Sequence, residues 1–113
     1  MKDALSQVYD HWEEKMDNNE WYFSDAFDDI VKDMTPEDAF AYIPNVLGML
    51  LRIEEEFLIW ETLYFLLQVY AIADTTEIHP ELKSSWDALE KHISCYPEAY
   101  GTPFQELKRD LRL

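Results

Sequence analysis

The sequence predicts an all-α protein of six or seven helices, packed as antiparallel hairpins around a central apolar helix at residues 57–73. Glycine occurs only 2 times in 113 residues, which disfavours tight hairpins. Apolar residues recur at helical spacing along most of the chain, and no segment alternates as a strand does. A chain of this length makes one domain, residues 1–113. Short linkers between consecutive helices also fit a HEAT-like stack.

The central helix is predicted from Phe57 to Ala73, a segment without glycine or proline. Two neighbouring sides are apolar, which places a helix at the centre of a fold. One is the stripe Phe57, Trp60, Tyr64, Leu67 and Ala71, and the other is Ile59, Leu63, Leu66 and Tyr70. We expect one shared core of Trp60, Tyr64, Leu67, Leu50, Trp86 and Leu89. A membrane span is not predicted, because the unbroken apolar runs are far shorter than about 18 residues.

The N-terminal part predicts two helices. The first covers residues 3–17, with Asp3 as its N-cap. Ser24 is predicted to cap the second. The inner face of this second helix is expected to hold Phe27, Ile30, Val31 and Met34, and its outer face Asp25, Asp28, Asp29 and Asp33.

Two prolines are expected to open the following segments. Thr35 and Pro36 have the order of a cap followed by a first helical turn. Pro44 is predicted to start another helix in the same way. Residues 54–56, three glutamates, are expected to form a turn before the central helix, although one bent helix from residue 44 to 73 is an alternative.

The C-terminal part predicts a helix from Pro80 to Cys95 whose apolar stripe is Leu82, Trp86, Leu89, Ile93 and Tyr96. Residues 96–101 are expected to form a loop. Thr102 and Gln105 have the spacing of a capping box at the start of a last helix. Its inner face would be Phe104, Leu107 and Leu111.

Charge and cysteine content narrow the range of functions. The net charge of −15 disfavours nucleic acid and anionic membrane surfaces as partners, and it suits a basic protein. Cys95 is the only cysteine, so no internal disulfide can form, as is usual in a reducing compartment. The N-terminal residues lack the apolar region of a secretory signal. We therefore expect a cytoplasmic protein.

Catalytic and cofactor chemistry is not indicated. Glu61 is the one candidate for acid-base work, because it lies between Trp60 and Leu63, although a solvated or ion-paired carboxylate is the expected alternative. His11, His79 and His92 lack the spacing of a metal site and are expected on the surface. Cys95 is expected to be buried. No metal, cofactor or enzymatic activity is predicted.

A binding surface is predicted instead near the N-terminus. From residue 10 to 38 there are eleven acidic residues against two lysines, a net charge of −9. Trp21 and Tyr22 fit no apolar stripe, and an aromatic anchor among carboxylates suits a basic protein. The predicted partner-binding residues are Trp21, Tyr22, Asp25, Asp28, Asp29 and Asp33. The alternative is that the aromatic residues pack inward and the carboxylates form a solvated face.

The chain resembles the small, acidic, all-helical immunity proteins that bacteria make against polymorphic and contact-dependent toxins. The similar part is about residues 42–93, comprising YIPNVLGMLL, ETLYFLLQVYAIADTTEIHPEL and the W-x-x-L at residues 86–89. Its order of helices is similar to that of HEAT-like immunity proteins. The resemblance implies a protein that binds and occludes a basic toxin domain, for example a nuclease. It implies no site residues, because the binding surfaces of such families diverge with the toxin. The alternative function is an adaptor that binds a helix or basic segment in a groove between helices.

Overall fold

The computed structural model describes residues 4–112, and all of their regular structure is helical. The helices are α1 (Ala4–Tyr9), α2 (Trp12–Asn18), α3 (Tyr22–Val31), α4 (Pro36–Arg52), α5 (Glu56–Ala73), α6 (Pro80–Ile93), α7 (Pro97–Gly101) and α8 (Pro103–Leu111). The predicted all-α class is confirmed. Residues 4–112 form eight helices rather than six or seven. The first predicted helix is divided and a short helix replaces a predicted loop, while the segments before and after Pro44 form one helix.

Helix α5 is the central helix, as predicted, and it packs against α3, α4, α7 and α8. The predicted orientation of its two apolar stripes is only half right. Ile59, Leu63, Leu66 and Tyr70 are buried, but Phe57 and Ala71 are exposed and Trp60, Tyr64 and Leu67 are half-buried. The expected shared core is correspondingly only partly formed. Leu50 and Leu89 are fully buried, whereas Trp60, Leu67 and Trp86 pack at its edge.

The predicted helix over residues 3–17 is wrong as one element, because the chain breaks between α1 and α2. His11 adopts a left-handed backbone conformation with φ of 54°. The Tyr22 hydroxyl donates a hydrogen bond to the Val8 carbonyl at 2.6 Å. A continuous helix would use that carbonyl for the amide of Trp12, four residues on. The predicted cap Asp3 lies outside the described residues.

Helix α3 begins two residues before Ser24, so the prediction of Ser24 as its cap is wrong. Trp21 is the N-cap residue and makes no side-chain capping hydrogen bond. The Asn19 side chain instead closes the turn before the helix, accepting a hydrogen bond from the Trp21 amide at 3.1 Å. The predicted faces of the helix are confirmed. Phe27 and Val31 are buried with Phe23 on the inner side, and the four aspartates at positions 25, 28, 29 and 33 are exposed.

Helix α4 starts as predicted, with Thr35 and Asp38 exchanging the two hydrogen bonds of a capping box. Pro44 does not start a new helix but lies inside α4. An interior proline costs about 3 kcal/mol or more, since it removes one backbone hydrogen bond. Burial of the inner face of α4 offsets this cost, because each large apolar side chain contributes about 1.5–3 kcal/mol. That face is Ile43, Val46, Leu47 and Leu50.

The break between α4 and α5 is confirmed, and a single bent helix is excluded. Ile53 has extended backbone angles and ends α4. The His92 ring hydrogen-bonds the Ile53 carbonyl through Nε2 at 2.7 Å, which satisfies a group that the ended helix leaves free. A side chain from α6 therefore fixes this junction, which has neither glycine nor proline.

The C-terminal helices α6, α7 and α8 also contribute buried side chains to the core. Leu82, Leu89 and Ile93 are buried as predicted, and Trp86 stacks on Phe104 with ring centroids 5.0 Å apart. The predicted loop at residues 96–101 is wrong, because α7 forms there. The predicted Thr102 capping box is not formed either. Gln105 Nε2 instead donates to the Tyr100 carbonyl at 3.1 Å.

Within the described chain, α5 is the one helix long and apolar enough to cross a membrane by length and composition. The core helix of a soluble protein has the same composition. Half of this helix is buried inside the fold, where it is surrounded by other helices.

Candidate functional site

The predicted partner-binding residues lie on α3 and at its two ends. Asp25, Asp28 and Asp29 are exposed on the helix, and Asp33 is exposed in the turn that follows it. Trp21 precedes the helix and is 65% exposed, more than any other large apolar residue of the described chain. We call Trp21 and these four aspartates the acidic face.

Trp21 is fixed beside the first carboxylate of the acidic face. Its backbone amide donates to Asn19 Oδ1 at 3.1 Å, and Asn19 Nδ2 donates to Asp25 Oδ2 at 3.2 Å. The backbone at Trp21 is thereby positioned by the same amide side chain that orients Asp25. An exposed tryptophan on an ordered backbone can bury a large area in an interface without loss of much chain entropy.

Tyr22 contributes less to the surface than the sequence predicts. Its side chain is half-buried, and its hydroxyl donates a hydrogen bond to the Val8 carbonyl in the last turn of α1. The Lys15 ammonium lies 5.5 Å from the ring centroid, within the range of a cation–π contact. Tyr22 therefore holds α1, α2 and α3 together, and only part of its ring faces solvent.

Few cations neutralise the acidic face. Asp29 forms an ion pair with Lys32 at 3.0 Å, and this pair together with Asp33 raises the pKa of Lys32. Asp28 Oδ1 accepts a hydrogen bond from Gln68 Nε2 of α5 at 2.8 Å. Between residues 4 and 112, neither Asp28 nor Asp25 nor Asp33 has an ion-pair partner. The face therefore keeps a net negative charge.

Glu61, the sequence candidate for acid-base chemistry, is half-buried, and this burial raises its pKa. In residues 4–112 its carboxylate has no hydrogen-bond or ion-pair partner, so of the two expected alternatives the ion pair is absent and the group is partly solvated. General acid-base catalysis requires a carboxyl group with a shifted pKa that lies within hydrogen-bonding distance of the other reacting groups. No such group is bonded to Glu61 in residues 4–112.

The histidines and the cysteine are placed differently from the sequence prediction. His92 is half-buried and bonded to the Ile53 carbonyl. His79 is half-buried as well, and its Nδ1 accepts from the Glu81 amide at the start of α6. Only His11 is exposed as expected. Cys95 is exposed rather than buried. No three His, Cys, Asp or Glu side chains of the described residues are grouped to hold a metal ion.

Comparisons with known proteins gave no match. Neither a family model, nor a curated protein sequence, nor a solved structure is significantly similar to this chain. The resemblance to immunity proteins therefore stays a prediction, and the function has to be argued from the surface of the molecule.

One surface feature was not recognised in the sequence. The solvent-facing side of α5 carries aromatic side chains. Phe57 and Tyr64 are seven residues apart, as are Glu61 and Gln68, and the two pairs interleave on one face of the helix. All four side chains are exposed or half-buried. The signal was present in the sequence, because the two polar positions mark the solvent side and the aromatic residues beside them share it.

Proposed function

We propose that this protein is a non-enzymatic, cytoplasmic immunity protein that binds and occludes a basic bacterial toxin domain. The observation that carries the proposal is the acidic face, where the exposed Trp21 lies beside Asp25 and only Asp29 of the four aspartates forms an ion pair among residues 4–112. The surface suits a cationic protein, because opposite charge speeds the encounter and a buried tryptophan supplies affinity. If the toxin is a nuclease, the carboxylates take the places of substrate phosphates.

The arrangement of the aspartates supports a partner of opposite charge. Asp25, Asp28 and Asp29 stand at positions i, i+3 and i+4 of α3, so they project from the same side. Like charges at this spacing cost the free protein a few tenths of a kcal/mol per pair. A cationic partner removes this cost, and a purely structural role does not require it.

Coexpression tests the proposal. We expect a gene adjacent to the one for this protein to encode a toxin whose lethality the protein suppresses. Trp21→Ala should abolish protection while leaving the unfolding midpoint unchanged, because the indole is mostly in solvent. Trp86→Phe, which keeps an aromatic ring against Phe104, is the control and should protect fully. The proposal fails if no neighbouring product is toxic or binds the protein.

The alternative function is an adaptor that binds a helix or basic segment in an interhelical groove. The observation in its favour is the outer side of α5, where Phe57 is 38% exposed and three further aromatic or aliphatic residues are half-buried. An adaptor would bind its partner without inhibiting it. Growth in the coexpression assay separates the two functions.

A further inference from the structure

The outer side of α5 forms an apolar line that the other described helices cover only in part. Its members are Phe57, Trp60, Tyr64, Leu67 and Ala71. From residue 57 to residue 71 the helix rises about 21 Å at 1.5 Å per residue, which is close to four helical turns. Trp60 and Tyr64 contact each other edge-on, with ring centroids 4.6 Å apart. Solvent-facing positions of a soluble helix are usually polar, so this line requires an explanation.

Three clefts border the line, two beside Phe57 and Trp60 and one beside Leu67 and Ala71. Tyr64 and Glu61 lie along the helix between them. On one side Trp12 of α2 stacks on Phe57 at 5.5 Å, above a cleft that is also lined by Glu13, Met16 and Asp17. On the other side Glu98 of α7 faces Trp60 across a second cleft. Further along, Leu107, Asp110 and Leu111 of α8 line a cleft of about 610 Å³ with Leu67 and Ala71. We call this surface the α5 groove.

The rim of the α5 groove is uniformly acidic. Every charged residue that lines these three clefts is a carboxylate: Glu13, Asp17, Glu56, Asp74, Glu98 and Asp110. Two nearby lysines are already engaged. Lys15 lies over the Tyr22 ring, and Lys108 is ion-paired with Glu90 at 3.3 Å.

Glu61 lies within the apolar line, four residues after Phe57 and three before Tyr64. It is half-buried without a hydrogen-bond or ion-pair partner in residues 4–112. Burial of an unpaired carboxylate is unfavourable, and a nearby cation removes the penalty. Glu61 is therefore a preformed contact point for a lysine or arginine from outside the chain.

We propose that the α5 groove is a docking surface, separate from the acidic face, for a basic amphipathic helix of a protein partner. Apolar side chains at i, i+3, i+4 and i+7 of that helix would lie on the aromatic line, and a lysine or arginine would pair with Glu61. The inference does not depend on the partner being a toxin.

The acidic rim and the net charge favour a basic helix as the occupant over a second copy of the chain, an anionic lipid surface or a nucleic acid. A second copy of the chain would bring an equally acidic rim against the first, with −15 on each molecule. Anionic lipid surfaces and nucleic acids are repelled for the same reason. A basic helix alone matches the length, the apolar floor and the acidic rim.

A synthetic probe tests the proposal on the full chain. The probe is a labelled 18-residue amphipathic helix of leucine, alanine and arginine, and the control peptide has the same composition in an order without an apolar face. We expect the amphipathic peptide to bind at least about tenfold more tightly. Amide chemical shifts of the ¹⁵N-labelled protein should change along residues 57–71 of α5 and not along α3. Equal binding of both peptides, or shifts confined to α3, would overturn the proposal.

Three variants make the test specific. Tyr64→Ser and Glu61→Gln should each weaken the probe. On acidification Glu61→Gln should lose less affinity than wild type or Tyr64→Ser, because it lacks the Glu61 carboxylate that becomes protonated. Asp25→Lys with Asp29→Lys, a larger charge change on the acidic face that leaves the Asp28–Gln68 hydrogen bond intact, should weaken it by less than about threefold. Unchanged affinity in Tyr64→Ser overturns the proposal. So does a concentration-dependent dimer in sedimentation that Tyr64→Ser dissolves, because the occupant is then a second copy.

Discussion

The Tyr9 hydroxyl donates a hydrogen bond to the Thr62 hydroxyl, which ties α1 to the middle of the central helix. Among the residues whose burial the structure describes, 5–112, Thr62 is the one fully buried polar side chain, and its own hydrogen is donated to the Leu58 carbonyl at 2.6 Å. Because Thr62 has a single hydrogen, Tyr9 must be the donor. Burial raises the pKa of Tyr9, so the donor keeps its proton throughout the physiological range.

A double-mutant cycle measures this contact. Tyr9→Phe removes the donor but leaves Thr62 bonded to Leu58, so we expect a loss of about 0.5–1.5 kcal/mol in the free energy of unfolding. Thr62→Val leaves the Tyr9 hydroxyl without its acceptor and should cost more, about 1–3 kcal/mol. The double variant should be less destabilised than the sum of the two. Strict additivity in urea unfolding would show that the hydroxyls do not interact in solution.

Most helices and the inner faces of α3, α6 and α8 were predictable from the sequence, whereas the helix ends and the short helix α7 were not. On α5, only the polar positions Glu61 and Gln68 indicated the solvent side. The stripes of α6 and α8 follow directly from apolar spacing. The break at His11 depends on the Tyr22 hydroxyl, and the end of α4 depends on the His92 ring, so both are decided by residues distant in the chain. The tendency of proline to begin or break a helix predicted a boundary at Pro44. No boundary forms there, because the free energy gained by tertiary packing of α4 exceeds the cost of an interior proline.

The dependence on residues distant in the chain also determines which parts of the candidate site could be predicted. The exposure of the α3 aspartates was predictable from local spacing, because they lie on the side of the helix opposite to Phe27. Which side of α5 faces solvent depends on where α2, α7 and α8 pack, which periodicity does not show when most of the helix surface is apolar. The α5 groove therefore became visible only with the tertiary arrangement.

Trp86 and Phe104 provide a test of core packing at the C-terminal side. Phe104 is fully buried between Trp86 and Tyr100, with centroid distances of 5.0 and 5.4 Å. Phe104→Ala should cost about 3–5 kcal/mol. Trp86→Ala should cost less, about 2–3 kcal/mol, because part of the indole is already in solvent. A loss below about 1 kcal/mol for Trp86→Ala in denaturant unfolding would contradict this packing.

Gly48 is a position where the protein can be stabilised. It lies inside α4, and a Cβ added there meets no atom within 4 Å. Gly48→Ala should raise the free energy of unfolding by about 0.5–1 kcal/mol, since alanine loses less backbone entropy in a helix. Gly101→Ala, at the end of α7, also has free space and serves as the control with a smaller gain. A lower melting temperature for Gly48→Ala would be the contradicting result.

Glu61 makes stability depend on pH in a direction that can be worked out. Its pKa in the folded protein is raised above the ordinary 4.5 by burial, so the folded chain binds this proton more tightly than the unfolded chain. Its contribution to stability therefore falls as pH rises from 4.5 through the raised pKa, and the full penalty is present at neutral pH. Glu61→Gln should be more stable than wild type at pH 7.

The difference between Glu61→Gln and wild type should shrink as the pH is lowered toward 5. Urea unfolding at several pH values between about 5 and 8 measures it, a range that stays above the sequence pI of 4.3. Glu77→Gln, at an exposed position in the linker before α6, is the matched control and should show no such trend. A constant difference at all pH values would mean that Glu61 is not desolvated in solution.

Charge reversal on the acidic face gives the sharpest test of partner binding. Asp28→Lys with Asp29→Lys removes the Gln68 hydrogen bond and the Lys32 ion pair, both exposed. Exposed contacts of this kind are worth about 0–1 kcal/mol each, so the fold should stay intact. Association with a basic toxin domain should slow by at least about tenfold, because the field that steers the encounter is reversed locally.

The matched control is Glu77→Lys with Asp87→Lys, which changes the net charge equally at exposed positions away from α3. Its association rate should fall by less than about threefold, and the wild-type rate should fall steeply with salt. Stopped-flow mixing at low and high ionic strength measures both effects. If the α3 reversal and its control slow association equally, total charge rather than the acidic face directs binding. If neither variant nor salt changes the rate, the contact lies elsewhere, and the α5 groove is the surface to substitute next.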